Sequence, residues 1–513
     1  MGPKRQQSVE ITPSLERFSR IYNTGKPQLV STRLVADLET PVSAYLKLSV
    51  RQPMSFLLES VEGGTARGRY SIIGLAPDII WRANGNVAEI NRQPDLGISA
   101  FKPEYQDTLT SLRSLFKESS IEIPENLPPM AAGIFGYMGY DTVQLIENLP
   151  NESLDVLGVP DSLLIRPTVM VIFDSLTDEL IIVTPVRPKE KNIAEKAYED
   201  SRLRLNAAVD ALEIPLDIAS NIRTRPVSSS KKEPVSNIKS EDYMAMVDKA
   251  KSYIRAGDIF QVVLSQRFSM PFDLPPFALY RALRRTNPSP FLFFLDFKHF
   301  SLVGSSPEIL VRARDGNITI RPIAGTAKRG VNRRDDQIMA EQLLSDPKER
   351  AEHLMLLDLG RNDVGRISEI GSVRVTDQFV IERYSHVMHI VSNVIGTLDK
   401  KYDVIDALMA GFPAGTVTGA PKVRAMEIIQ ELEQDKRGPY AGCVGYFSAD
   451  GDMDTCIVLR TAIVKDGIMH VQAGAGLVHD SVPENEQQEC ISKAKALMRA
   501  AEEAVIFSDT KLN

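Results

Sequence analysis

Apolar residues are spaced in two ways along the chain, and the change of spacing predicts its elements. Between about Leu29 and Thr184 they fall in short or alternating runs, at 42–48, 55–58, 70–73, 79–81 and 169–173, bounded by glycine, proline or charge. That pattern predicts mostly strands joined by turns, with short helices between them. Residues 193–212 are charged and rich in alanine and predict one long helix. The stretch 213–239 includes RTRPVSSSKKEPVSN, where proline, serine and lysine crowd without a period. It reads as a linker or long surface loop.

A second unit opens at Ser240, a candidate N-cap. Tyr243, Met246, Val247, Ala250, Tyr253 and Ile254 recur at helical spacing, and Gly257 can end the helix. Strand-like runs at 260–264, 291–295, 318–323, 443–448, 457–464 and 469–473 then alternate with helical ones at 276–285, 335–344, 348–359, 421–434 and 484–504. Several strands follow one another with no helix between them, so a βαβ winding does not fit and the class is α+β. The predicted organisation is a flexible N-terminus (1–28), an N-terminal domain (29–186), a helix and linker (187–239) and a second domain (240–507).

Composition narrows the function classes. Of 513 residues, 43% are hydrophobic and 25% charged, which is ordinary for a globular protein. The net charge of -7 leaves no basic surplus to neutralise phosphates, so a nucleic-acid partner is not expected. No apolar run approaches the ~18 residues of a membrane span. The start, MGPKRQQSVEITPSLERF, lacks the apolar core of a signal peptide, and a cytoplasmic location is expected. Cys443, Cys456 and Cys490 show no paired spacing and read as reduced, buried thiols.

Two predicted helices carry carboxylates three residues apart: Glu349 and Glu352 in one, Glu486 and Glu489 in the other, with Lys493 four further on. At ~100° per residue, Glu489 and Lys493 lie within about 60° of Glu486 on one face. Facing each other, such helices would offer hard oxygen ligands to Mg²⁺; facing water, they would be ordinary solvated surfaces. The small residues of FPAGTVTGAPK (412–422) precede a helix and could present N–H groups to an anion or simply form a tight capped loop. Arg460 could grip a carboxylate or sit in a salt bridge. His386 and His389 suit metal, acid–base or packing roles, but nothing completes a zinc spacing.

Taken together, these segments resemble the chorismate-utilising enzymes. The resemblance rests on PIAGT (322–326), ERAEHLM (349–355), DLGRND (358–363), GTVTGAPKVRAM (415–426), QAGAG (472–476) and DSVP (480–483), in order across about 240–504. LLES (57–60), RYS (69–71) and NPSP (287–290) resemble the anthranilate synthase branch. The implied fold is two large antiparallel sheets packed as a sandwich with helices outside, the two portions of the chain interlocked.

The resemblance also implies roles. Glu352 and Glu489 match Mg²⁺ ligands, with Glu349 and Glu486 supporting them. Gly325, Thr326, Tyr440, Arg460 and the backbone of Gly474, Ala475 and Gly476 match chorismate contacts. Lys493 matches a substrate-side lysine, Glu308 a general acid, and His389 a group for the later elimination. Water-using members carry a lysine base where this chain has Gln261, and aminodeoxychorismate synthases typically carry a lysine where it has Ala324. Gln261 points to ammonia as nucleophile, and both differences point to anthranilate, formed with pyruvate. No cysteine lies in a glutaminase setting, so a separate glutamine amidotransferase subunit is the implied partner. Glu59, Ser60, Pro290, Phe291 and Leu292 resemble an L-tryptophan site for feedback inhibition. The family often has threonine at Cys490.

Overall fold

The protein, seen as a computed structural model, is described over residues 10–49, 52–62, 66–150, 153–189, 192–216, 233–384 and 387–507. Its named strands pair antiparallel throughout. The network divides at the long strand Ser162–Asp174. One arm leaves through Ala66–Asn84 and runs by way of Ser55–Glu62, Phe291–Asp296, Phe300–Ser306, Thr461–Lys465 and Ile468–Leu477 to Gln261–Pro271. The other leaves through Gly133–Met138 and runs by way of Cys443–Ser448, Met453–Ile457, Ile309–Arg314 and Asn317–Ile320 to Val387–Thr397. The expected α+β class and antiparallel sheets are thus present, with hydrogen bonding continuous between the arms.

Both arms are built from residues on either side of 217–232, the part of the expected linker that lies outside the described residues. Within 213–239, Glu213 ends a helix and Val235–Ser236 pairs with Phe268 and Ser269. Ser55–Glu62 pairs with Phe291–Asp296, and Gly133–Met138 with Cys443–Ser448. Side chains repeat the interlock: Tyr45 packs on Phe277 at 4.6 Å and edge-on to Phe294 at 5.6 Å. Such pairs add to simple area burial and hold the two portions together. Among the described residues no helix is long and apolar enough to cross a membrane.

Five expectations need correcting. Residues 42–48 are not a strand: Pro41–Leu48 is a helix, because Thr40 forms a capping box with Ser43 and Pro41 sits in the first turn. Within the supposedly flexible 1–28, Leu15–Tyr22 is helical, capped by Ser14 and anchored by buried Phe18 and Tyr22. Ser240 is the first residue of its helix, and Lys239 occupies the N-cap, while Gly257 ends it in the left-handed conformation as expected. The run 318–323 is two strands, Asn317–Ile320 and Ile323–Lys328, parted at Pro322, which has no N–H for the ladder. The run 457–464 is likewise broken, by a turn in which Arg460 adopts φ 48°. The three cysteines are free and buried, as expected.

Candidate active site

A cavity of about 400 Å³ opens where the ends of both arms meet two helices. Gln261 enters from Gln261–Pro271, Gly474 and Gly476 from Ile468–Leu477, and Gly325 and Thr326 from Ile323–Lys328. His389 enters from Val387–Thr397, Glu349 and Glu352 from the helix Pro347–Gly365, and Glu486, Glu489 and Lys493 from the helix Pro483–Glu503. Glu308, Tyr440 and Arg460 also line it. The expected residues therefore converge. Ala475, expected through its backbone, lies between Gly474 and Gly476 with its methyl buried in the core, since successive strand residues face opposite sides. His386 lies outside the described residues.

Each chemical group has a defined setting. Glu308 is buried, and burial pushes its carboxyl up to about 8 even though Thr416 Oγ1 donates to its two oxygens at 3.1 and 3.2 Å. It therefore holds its proton at neutral pH. His389 is pushed down to about 4, by burial first and then by the Arg460 charge. Its Nδ1 lies 3.2 Å from the Gly325 carbonyl and 3.0 Å from Thr326 Oγ1. A carbonyl can only accept, so Nδ1 carries the hydrogen and Nε2 keeps a free lone pair. Gly325 has φ 70°, and a Cβ there would come within 3.1 Å of Glu349 Oε2, so both backbone and space call for glycine.

The cavity is rich in charge that the protein does not fully pair. Burial raises the Glu352 carboxyl, and Glu349 and Glu489 raise it further. Burial and then Glu489 do the same to Glu486. Lys493 Nζ pairs with Glu489 at 2.7 Å and donates to the Gly474 carbonyl at 2.8 Å. Burial without a counter-ion lowers the Arg460 guanidinium, and it makes no ion pair among the described residues. Gln261 Nε2 reaches Glu352 at 3.4 Å, while its Oε1 is buried with no donor. Among the described residues no three carboxylates, cysteines or histidines are grouped closely enough to hold a metal unaided. Mg²⁺ commonly takes one or two protein carboxylates and completes its shell with water and substrate, so the mutually repelling Glu352 and Glu489 fit it.

A buried ion pair holds the cavity floor. Arg437 donates to Glu433 at 2.6 and 2.8 Å, to the Val417 carbonyl at 2.8 Å and to the Val263 carbonyl at 2.7 Å. Val263, Val417 and Tyr440 all line the cavity, and the guanidinium sits 5.6 Å from the Tyr440 ring. Arg437→Met strands the Glu433 charge in the interior and is expected to cost ~3–5 kcal/mol of stability in urea unfolding. A loss below about 1 kcal/mol would contradict this account of the floor.

A family model described as chorismate binding enzyme matches residues 55–499. The chain belongs to the chorismate-binding enzyme family. It is 54% identical over 496 residues to anthranilate synthase component 1 of Cereibacter sphaeroides, covering 96% of this chain and 98% of that protein. Against component 1 of Aquifex aeolicus the identity is 45%, over 96% of this chain and 98% of the other. The crystal structure of anthranilate synthase component I from Streptococcus pneumoniae superposes with a TM-score of 0.74 at 37% identity, covering 91% and 99% of the two chains. The menaquinone-specific isochorismate synthase of Escherichia coli, 19% identical with a TM-score of 0.67 over 95% and 98%, shares the fold.

Sequence reasoning missed two groups of this cavity. Lys348 lines the cavity beside Glu349, and Thr416 holds Glu308. Both sit in or beside segments already singled out, but side-chain direction decides their use. A second pocket, of about 370 Å³, includes Glu59, Ser60, Phe291 and Leu292 in its lining. Pro290, expected with them, does not line it. The Glu59 carboxylate is occupied: Arg284 donates to it at 2.7 and 2.9 Å, and Tyr280 also bonds it. Asp454 lies in the same lining with Oδ1 buried and unpartnered.

Proposed function

We propose that the chain is the chorismate-using component of an anthranilate synthase, converting chorismate and ammonia to anthranilate and pyruvate. The observation that carries this reading is a buried Glu308, whose carboxyl burial pushes up to about 8, and an Arg460 with no ion pair among the described residues, in one cavity of a chorismate-binding enzyme with Gln261 in place of a lysine base. Chorismate is a dianion, and Arg460 is suited to its enolpyruvyl carboxylate. Gln261 cannot deprotonate water, but its free Oε1 can accept a hydrogen bond from ammonia, which is nucleophilic already. Glu308 donates its proton to the C4 hydroxyl as it departs while ammonia attacks C2. The ammonium formed at C2 gives up a proton to solvent. The Nε2 of neutral His389 then takes the C2 proton as the C3–O bond breaks and the ring becomes aromatic. The released enolpyruvate takes a proton at its methylene carbon to become pyruvate. Mg²⁺, held by Glu352 and Glu489 with Glu349 and Glu486 behind them, would neutralise the ring carboxylate and stabilise developing charge.

The reading brings a partner and a regulator. Component 1 names among the relatives support a second subunit, which we take to be a glutamine amidotransferase supplying ammonia. The pocket around Ser60, Phe291 and Leu292 suits L-tryptophan, whose ammonium would satisfy Asp454 Oδ1. Ser60→Leu fills part of that pocket and is expected to raise the tryptophan concentration for half-inhibition roughly tenfold or more, read from inhibition curves. An unchanged curve would move the regulator elsewhere.

Purified protein with chorismate, Mg²⁺ and ammonium should produce fluorescent anthranilate, less of it with tryptophan present. Chorismate consumption without anthranilate would overturn the reading. A pH dependence follows from Glu308. Its donor form is full below about 8 and is lost as pH rises through that value. The rate per free ammonia should therefore fall about tenfold per pH unit above the transition. A rate rising through that range would contradict the donor role.

A further inference from the structure

We infer that a small cavity behind Glu308 is a water-filled proton path, and that Asp363 at its outer end relays the proton that reloads Glu308 after each turnover. The inference rests on the reading of Glu308 as proton donor. The cavity, about 30 Å³, is separate from the substrate cavity, and Glu308, Leu356 and Thr416 line both. Glu308 is thus part of the wall between them. Ile309, Leu310, Ile320 and Leu359 make the small cavity's sides apolar, and Glu308, Thr416 and Asp363 are the polar side chains on it. A buried water needs roughly 10–15 Å³ and two or more polar partners; the volume allows one, and these three side chains are the partners on offer.

At its Asp363 end the cavity meets an ion pair. Asp363 accepts from Lys422 Nζ at 2.8 Å, and their side chains are 6% and 11% exposed. Burial raises the Asp363 carboxyl even against that lysine, which eases proton uptake there. The motifs DLGRND and GAPK, which supply Asp363 and Lys422, have no part in the substrate cavity's lining.

The space behind Glu308 has a local cost. Gly360 sits inside the helix Pro347–Gly365, where glycine is a poor helix former, and a Cβ there would meet Pro322 Cγ at 3.1 Å. Alanine would suit the helix and crowd the cavity. During turnover the substrate side of Glu308 is filled by ligand, so its replacement proton has a route from the rear. The water gives a proton to the Glu308 carboxylate, forming a new O–H bond, and takes one from the Asp363 carboxyl. Asp363 is recharged from solvent beside Lys422, and no electrons are transferred.

The test compares Gly360→Ala, which narrows the path, and Asp363→Asn, which keeps the volume but removes the exchangeable proton. With ammonium as nucleophile, both should lower kcat roughly tenfold with KM for chorismate unchanged, and both should enlarge the solvent deuterium isotope effect on kcat. Formate should restore part of the rate in Asp363→Asn by carrying protons in its place. A folded Gly360→Ala variant with unchanged kcat and isotope effect overturns the relay while leaving Glu308 as donor. A lower kcat with an unchanged isotope effect reports a packing defect and also overturns it. Full activity in Glu308→Gln would instead sink the donor reading itself.

Discussion

With Glu308 replaced by glutamine, kcat for anthranilate formation falls by about 10²–10⁴, while KM for chorismate changes by less than about threefold. Glutamine keeps the volume, and its carbonyl can still accept from Thr416 Oγ1, so the packing around the site has no reason to change. What it lacks is the proton that burial keeps on the native side chain at neutral pH. The departing C4 hydroxyl must then leave unassisted. Initial rates from anthranilate fluorescence, with circular dichroism to check folding, measure the loss. A folded variant within about threefold of the parent rate would remove Glu308 from the chemistry.

The second large effect is at the carboxylate cluster. Glu352→Gln is expected to raise the Mg²⁺ concentration for half-maximal activity by about 10–100-fold. The same change should leave thermal stability without Mg²⁺ unchanged or higher. Glu349 and Glu489 both raise the Glu352 carboxyl, so in the metal-free protein these charges oppose one another. A residue kept for folding would show the opposite pair of results, a lower Tm and an unshifted Mg²⁺ curve. Titrating activity against Mg²⁺ alongside a melting curve separates the two.

The parts of this site that were legible in the sequence are those set by local period. Glutamates three apart place themselves on one helical face wherever the helix goes, so Glu349 with Glu352 and Glu486 with Glu489 could be singled out as pairs. That the two helices look into one cavity depends on strands from opposite ends of the chain, which no local pattern contains. Resemblance supplied that step, and the cavity then gathered the named residues. Side-chain direction was the commonest loss. Glu59 lies within LLES and lines its pocket, yet spends its carboxylate on Arg284 and Tyr280, and Pro290 does not line that pocket.

Other misses came from overlooked local signals or from distance. Thr40, Pro41 and Ser43 spell a helix start, but the apolar run behind them looked like a strand. Pro322 marks a break that hydropathy alone passes over. Arg437 is beyond such reading altogether. Its four acceptor oxygens come from Glu433, Val417 and Val263, and only the folded chain brings these together.

The central claim is that this one cavity joins ammonia to chorismate and releases pyruvate. The most direct measurement supplies chorismate, Mg²⁺ and ¹⁵N-ammonium to the purified chain and quantifies both products by mass spectrometry. The account predicts labelled anthranilate and pyruvate in equal amounts, from the unaltered protein and not from Glu308→Gln. Isochorismate or aminodeoxychorismate accumulating with no pyruvate would contradict it.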